Sequence, residues 1–123
     1  MDIREYFATH EGTGILSTAD GAGAVNAALY SKPKCMEEGT IAFIMNDKLS
    51  HKNVQENPKA AYLFIEKGSK REGIRLYLEK IREEENLDII EQFRSHGTHK
   101  TDAPDKKLFL VYFRIVRVRP LVD

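Results

Sequence analysis

Six apolar runs separated by short, turn-rich connections constrain this chain more than any other feature. They occupy residues 13–18, 24–31, 40–46, 60–66, 74–82 and 107–119. A parallel pair of strands needs a crossover of about a dozen residues or more, usually helical. Several connections here are shorter, so the runs pair as antiparallel hairpins. Asp20–Gly21 supplies the turn between the first two. In the second run Val25, Ala27 and Leu29 alternate with Asn26, Ala28 and Tyr30, which gives a strand with two distinct faces. The run TIAFIMN at 40–46 is almost wholly apolar and reads as a strand buried on both faces. In the fifth, Ile74, Leu76 and Leu78 alternate with Arg75, Tyr77 and Glu79, so its start has one wet face. Three short helices punctuate the strands. Residues 2–9 place Ile3, Tyr6 and Phe7 on one face, with Asp2 and Glu5 as a capping pair. A second helix starts with Ser50 as N-cap and stops at Asn57–Pro58. A third, at 84–96, carries a stripe of Leu87, Ile90 and Phe93, with Ile89 beside it. The pattern predicts a mainly β fold, a small closed or partly closed six-stranded barrel with helices as lids. The 123 residues make a single domain, 1–123.

Charge removes several function classes. Nineteen basic residues balance nineteen acidic ones, so no global field draws the chain to nucleic acid or an anionic membrane. No apolar stretch reaches the roughly 18–20 residues of a membrane span. The start, MDIREYFATHEG, lacks an apolar signal core. A single cysteine, Cys35, precludes an internal disulfide. The expected location is cytoplasmic.

Chemistry concentrates at Ser50-His51-Lys52-Asn53. A helix start leaves backbone N–H groups unpaired, and these attract an anion. Lys52 and His51 in the first turn oppose the helix dipole, an odd placement for stability that a bound phosphate resolves. An ordinary capped surface helix with solvated charges is the other reading. The second candidate is Asn26 in a run of small residues, Ala24, Ala27 and Ala28. Such a stripe lets a flat ring lie against the backbone. It equally suits a thin wall packed by large side chains from elsewhere. His96 and His99 read as a solvated loop, since no further ligands accompany them. Lys32 and Lys34 lie just before Cys35 and are placed to lower its pKa, while the other reading is an inert lone cysteine. Arg114, Arg117 and Arg119 on the last strand can pair with acids, face a ligand or line a subunit contact.

Taken in order, these features resemble the pyridoxamine 5′-phosphate oxidase-like family of FMN-binding split barrels, in particular its small bacterial FMN-binding proteins. The specific match runs from Gly39 through the strand Ile41–Asn46, the loop Asp47–Leu49, the triplet Ser50-His51-Lys52 and Asn57-Pro58 to Glu66. Val25-Asn26 fits the preceding strand. The resemblance implies a six-stranded antiparallel split β-barrel of Greek-key type with short flanking helices. It implies FMN as cofactor, with Ser50, His51, Lys52 and Asn53 holding its phosphate. Asn26, Ala27 and Ala28 would lie along the isoalloxazine edge, and Met45 and Asn46 would touch the ring or ribityl chain. It also implies a homodimer with two sites at the subunit interface, completed by the partner's last strand.

Two departures matter. Many relatives carry arginine where His51 stands, which makes phosphate binding weaker or pH-dependent here. The arginine and histidine that grip pyridoxamine phosphate in the oxidases have no counterpart in Pro120-Leu121-Val122, so that oxidation is not expected. The flavin itself carries the electrons, while the protein binds and tunes it; Arg114 or Arg117 is placed to stabilise a reduced anion. The expected function is an FMN-dependent oxidoreductase working with a nicotinamide donor or small-molecule acceptor, its catalytic residues unassigned. The alternative is a non-enzymatic FMN protein for electron transfer, storage or sensing. Haem and the deazaflavin F420 are further cargoes of the same scaffold. An oligonucleotide-binding barrel is disfavoured by the zero net charge.

Overall fold

The computed structural model describes residues 1–93 and 107–123. In chain order the elements are α1 (Ile3–Thr9), β1 (Gly12–Ala19), β2 (Val25–Leu29), β3 (Lys34–Cys35), β4 (Thr40–Asn46), α2 (Leu49–Glu56), β5 (Lys59–Glu66), β6 (Gly73–Glu84), α3 (Leu87–Phe93) and β7 (Leu108–Pro120). The strands form one antiparallel sheet in the order β2-β1-β5-β6-β7-β4-β3. The sheet is open, with β2 and β3 at its edges, as a split barrel requires. It has seven strands rather than the six expected. The extra one is the two-residue β3, which pairs Lys34 with Ala42 and Cys35 with Ile41 in a segment whose Pro33 reads as loop. No helix among the described residues is long and apolar enough to cross a membrane.

Alternation along the strands builds the interior. Leu16 of β1, Phe43 and Met45 of β4, Tyr62 and Phe64 of β5 and Leu76 of β6 all enter one core. A Cβ on Gly14 would overlap the Tyr62 hydroxyl and the Tyr30 carbonyl. The bare backbone there lets Tyr62 Oη donate to Tyr30 O and Ser31 O, each at 3.1 Å. A smaller core on the opposite face joins Ala42, Leu110 and Tyr112 to Ile90 of α3, so β4 is indeed packed on both faces. From Leu108 to Phe113, β7 runs between β4 and β6 and is buried throughout. Pairing with β4 stops at Arg114, and beyond it β7 becomes mostly exposed.

The first helix is as expected: Asp2 caps it by accepting from Glu5 N, and Phe7 is buried. The third differs. β6 runs to Glu84, so α3 begins three residues later than the sequence pattern suggests, with Asn86 Oδ1 accepting from Asp88 N and Ile89 N. Of the expected stripe, Ile90 is buried while Leu87 is exposed. The Phe93 side chain, His96 and His99 lie outside the described residues.

Candidate functional site

The β4–α2 junction carries the densest polar grouping. Lys48 N donates to Asn46 O, a tight turn that sends the chain directly from strand to helix. The first helical bond is Lys52 N to Lys48 O, so Lys48 occupies the N-cap position, and its side chain makes no capping bond. This corrects the placement of Ser50, which is the second residue of the helix, two past the N-cap. Its hydroxyl bonds the Tyr30 phenol instead. The first turn contains no acidic residue. Its amide donors therefore meet no capping side chain and no acidic residue of the helix itself, a favourable condition for holding an anion, although the carboxylates of Asp47 and Glu83 stand against the His51 ring of the same turn.

Four residues of α2 face inward: Ser50, His51, Asn53 and Val54. Asn53 Nδ2 donates to Thr18 Oγ1 of β1 at 3.0 Å. His51 stacks on Phe109 of β7, ring centroids 3.8 Å apart and planes within 12°. Its Nδ1 lies 3.1 Å from Asp47 Oδ1, and its Nε2 lies 3.1 Å from Glu83 Oε2 of β6. Burial pushes the Glu83 carboxyl up, but hydrogen bonds from Lys80, Gln55 and His51 outweigh it and hold its pKa at about 2. Lys52 is exposed and forms no ion pair among the described residues.

The second predicted group adjoins this one. Asn26 of β2 stands opposite Thr18 in the register, and Thr18 is the residue Asn53 binds. Gly21 N, in the β1–β2 turn, donates to Glu56 Oε1 of α2 at 3.0 Å. Asn26 and Ala28 oppose Thr18 and Leu16 and share their inward face, whereas Ala27 opposes Ser17 and points outward. A ring along this edge strand can therefore meet the three side chains only across the strand's edge, together with its free backbone groups. Asn46 closes β4, two residues before the α2 N-cap. Met45 is 0% exposed in the main core, so its side chain cannot reach a ligand and only its backbone remains to do so. The structure thus gathers Asn26, Asn46 and the Ser50–Asn53 turn around one end of the barrel. It adds Thr18, Tyr30, Asp47, Glu83 and Phe109, which the sequence reading did not single out. Thr18 alone carried a signal, as a polar residue in phase with inward-facing Gly14 and Leu16.

The remaining candidates sit elsewhere. Lys32 binds Phe7 O and His10 O and pairs with Glu11 at 2.6 Å. It does not activate Cys35, whose thiol is pushed up by burial. A cleft of about 620 Å³ beside Cys35 is lined by Arg4, Met36, Glu37, Ile115 and Val118 among others, at the opposite end of β4 from α2. Arg114 pairs with Glu79, and Arg119 lies 3.9 Å from Asp123. No cluster of three metal-ligating side chains occurs among the described residues.

No protein-family model matches the chain, and no curated protein does. Solved structures do. An FMN-binding protein from Syntrophomonas wolfei subsp. wolfei superposes with a TM-score of 0.78 at 22% identity, covering 98% of this chain and 84% of that one. A candidate pyridoxamine 5′-phosphate oxidase from Lactobacillus delbrueckii gives 0.68 at 13%, covering 97% and 92%. HutZ, a haem storage protein from Vibrio cholerae, gives 0.64 at 16%, covering 97% and 92%. The chain therefore has the split-barrel fold of pyridoxamine 5′-phosphate oxidase-like proteins.

Proposed function

We propose that this protein binds FMN, with the phosphate at the start of α2. The observation that carries the reading is the helix start itself: an uncapped first turn without an acidic residue, with lysines at positions 48 and 52. In this reading the amides of Leu49, Ser50 and His51 donate to the phosphate and Lys52 supplies the point charge. Ser50 and Asn53 hold the turn in place through Tyr30 and Thr18, and His51 does so through Glu83. The isoalloxazine lies towards Asn26, Ala27 and Ala28, with Asn46 and the Met45 backbone beside it. Bound there, FMN supplies reversible electron transfer, and the activity we assign is that of a flavin-dependent oxidoreductase.

The names of the similar structures include both FMN and haem, so this chain's own side chains must choose. Haem takes an axial ligand such as a free imidazole. Both described histidines in reach of a strand face are already engaged, His10 stacked on Tyr6 at 4.3 Å and His51 between two carboxylates. Among the described residues no imidazole is thus left free for haem, which supports the flavin.

A second copy fits the outer face of β2, β1 and β5. The register aligns Leu29, Ile15 and Leu63 across it, with Arg75 at its border. Val25 is 84% exposed and Leu29 75%, a patch that contact with a partner would cover. We assign a homodimer built on this face. A fluorescence titration of FMN against the wild-type chain and Lys52→Ala tests the phosphate assignment: weaker binding in the variant supports it, and equal binding removes Lys52 from the site.

A further inference from the structure

We infer that Glu83 is a positioning residue for the anion site at the start of α2. Its carboxylate, on β6, holds two side chains of the helix one turn apart and so fixes the direction in which the first-turn amides and Lys52 point. The inference rests on the phosphate reading of that turn and assigns a role to a residue that does not itself meet the anion.

Donors from two elements converge on this carboxylate. Gln55 Nε2 donates to Oε1 at 2.7 Å, and His51 Nε2 lies 3.1 Å from Oε2. Both belong to α2 at i and i+4, so they share one face of the helix. From β6 itself, Lys80 Nζ donates to Oε1 at 2.7 Å. The Gln55 amide is a donor at every pH, so the tie from α2 to β6 holds whether or not His51 is protonated.

The helix depends on such ties. It is eight residues long, lacks a capping side chain, and of its four buried residues only Val54 is apolar. Polar bonds therefore set its orientation. Asn53–Thr18 and Glu56–Gly21 hold its middle and far end on β1 and the β1–β2 turn, and Glu83 holds it on β6. Charge gives Glu83 a second effect of opposite sign. A bare carboxylate beside the turn would repel a phosphate, but Lys80 pairs with this one. Positioning therefore outweighs repulsion, and removing the carboxylate weakens anion binding. A bystander charge would, on removal, strengthen it.

The test uses the full chain at about pH 8, where the FMN phosphate is doubly ionised. Its two probes are FMN and riboflavin, the counterpart without phosphate. Wild type is compared with Glu83→Gln, which leaves one acceptor oxygen in place of two. A second variant, Gln55→Leu, cuts one bond and leaves the Glu83–Lys80 pair intact. Glu83→Gln is expected to weaken FMN about three- to tenfold, within reach of one charge-assisted bond, and riboflavin by less than about twofold. Gln55→Leu should lower the preference for FMN over riboflavin in the same direction, and it carries the test should Glu83→Gln fail to fold. Tighter FMN binding in Glu83→Gln makes the carboxylate a bystander charge and overturns the inference. An equal loss for both probes, or no loss for FMN in either variant, overturns it too. Should wild type not bind FMN, or prefer neither probe, the phosphate reading fails by itself. The positioning is then read from amide-exchange protection of residues 52–56. Protection lost there in Glu83→Gln and retained in β1 and β5 sustains it; unchanged protection, or loss throughout the chain, overturns it.

Discussion

The Asn53 carboxamide donates to the Thr18 hydroxyl across 3.0 Å, and both side chains are buried, Asn53 to 2% and Thr18 to 3% exposure. This bond fixes the middle of α2 on β1, at the strand position facing Asn26. Removing one partner strands the other in a site closed to water. Thr18→Val should therefore destabilise the fold by about 1–3 kcal/mol, the cost of an unsatisfied buried donor. Asn53→Ala should cost a similar amount, and the double variant less than the sum. Urea unfolding of the four proteins checks this; strict additivity would show that the two groups do not interact.

Lys52 is exposed and touches nothing that holds the fold together. Lys52→Ala should leave stability within about 0.5 kcal/mol of wild type, as for surface substitutions generally. FMN affinity should drop by about 1.5–3 kcal/mol, the usual worth of a hydrogen bond to a charged group. A variant that loses stability rather than affinity would place Lys52 in the scaffold.

Glu83 is held well below the ordinary glutamate range, at about 2 against 4.5. Folding thus favours its ionised form. The gain is fully present above about pH 4.5 and is lost as pH falls towards 2. Glu83→Gln should flatten that part of the stability profile, by about 2 kcal/mol after allowing for partial exposure. Acid-unfolding midpoints that coincide for both proteins would contradict it.

Gly14 lies under the Tyr62 ring, where a methyl group would overlap the tyrosine hydroxyl and the Tyr30 carbonyl. Gly14→Ala must displace a ring that is 0% exposed in the main core. A loss of about 2 kcal/mol or more is expected, in the range of overpacked cores. Gly39→Ala is a poor control, since φ there is +79° and any side chain is strained. Gly21, whose nearest neighbour would be the flexible Glu56 side chain, should tolerate alanine much better.

The proposed dimer face can be broken without touching the core. Leu29 is exposed at the sheet edge and opposite Ile15. Leu29→Glu places a charge on each copy where the apolar surfaces would meet, an uncompensated burial that association cannot sustain. Light scattering should report a dimer for wild type at micromolar concentration and a monomer for the variant. A variant that remains dimeric would remove this face from the assembly, and a monomeric wild type would overturn the dimer itself.

Most of the fold was legible because alternation is a local signal. β4 ends where TIAFIMN ends, and α1 starts at the Asp2 cap. β3 was not legible: two residues offer no period, and its pairing is made by β4 from outside. The start of α2 was misread by two residues because Ser50 has the chemistry of a cap. What decides the boundary is the turn from Asn46 to Lys48, and Ser50 is recruited by Tyr30 twenty residues away. The polar triplet itself was visible. Its division into an inward His51 and an outward Lys52 depends on Glu83 and Phe109, which arrive from distant strands. Met45 looked available for a ligand, yet strand phase sends it into the core.

The visible absorption spectrum of the purified protein, followed by FMN titration if it is colourless, tests the central claim most directly. A flavin spectrum, or stoichiometric quenching of FMN fluorescence that Lys52→Ala weakens, is the expected result. A colourless protein that leaves FMN fluorescence unchanged at neutral and mildly acid pH would contradict it, and would return the uncapped start of α2 to some other anion.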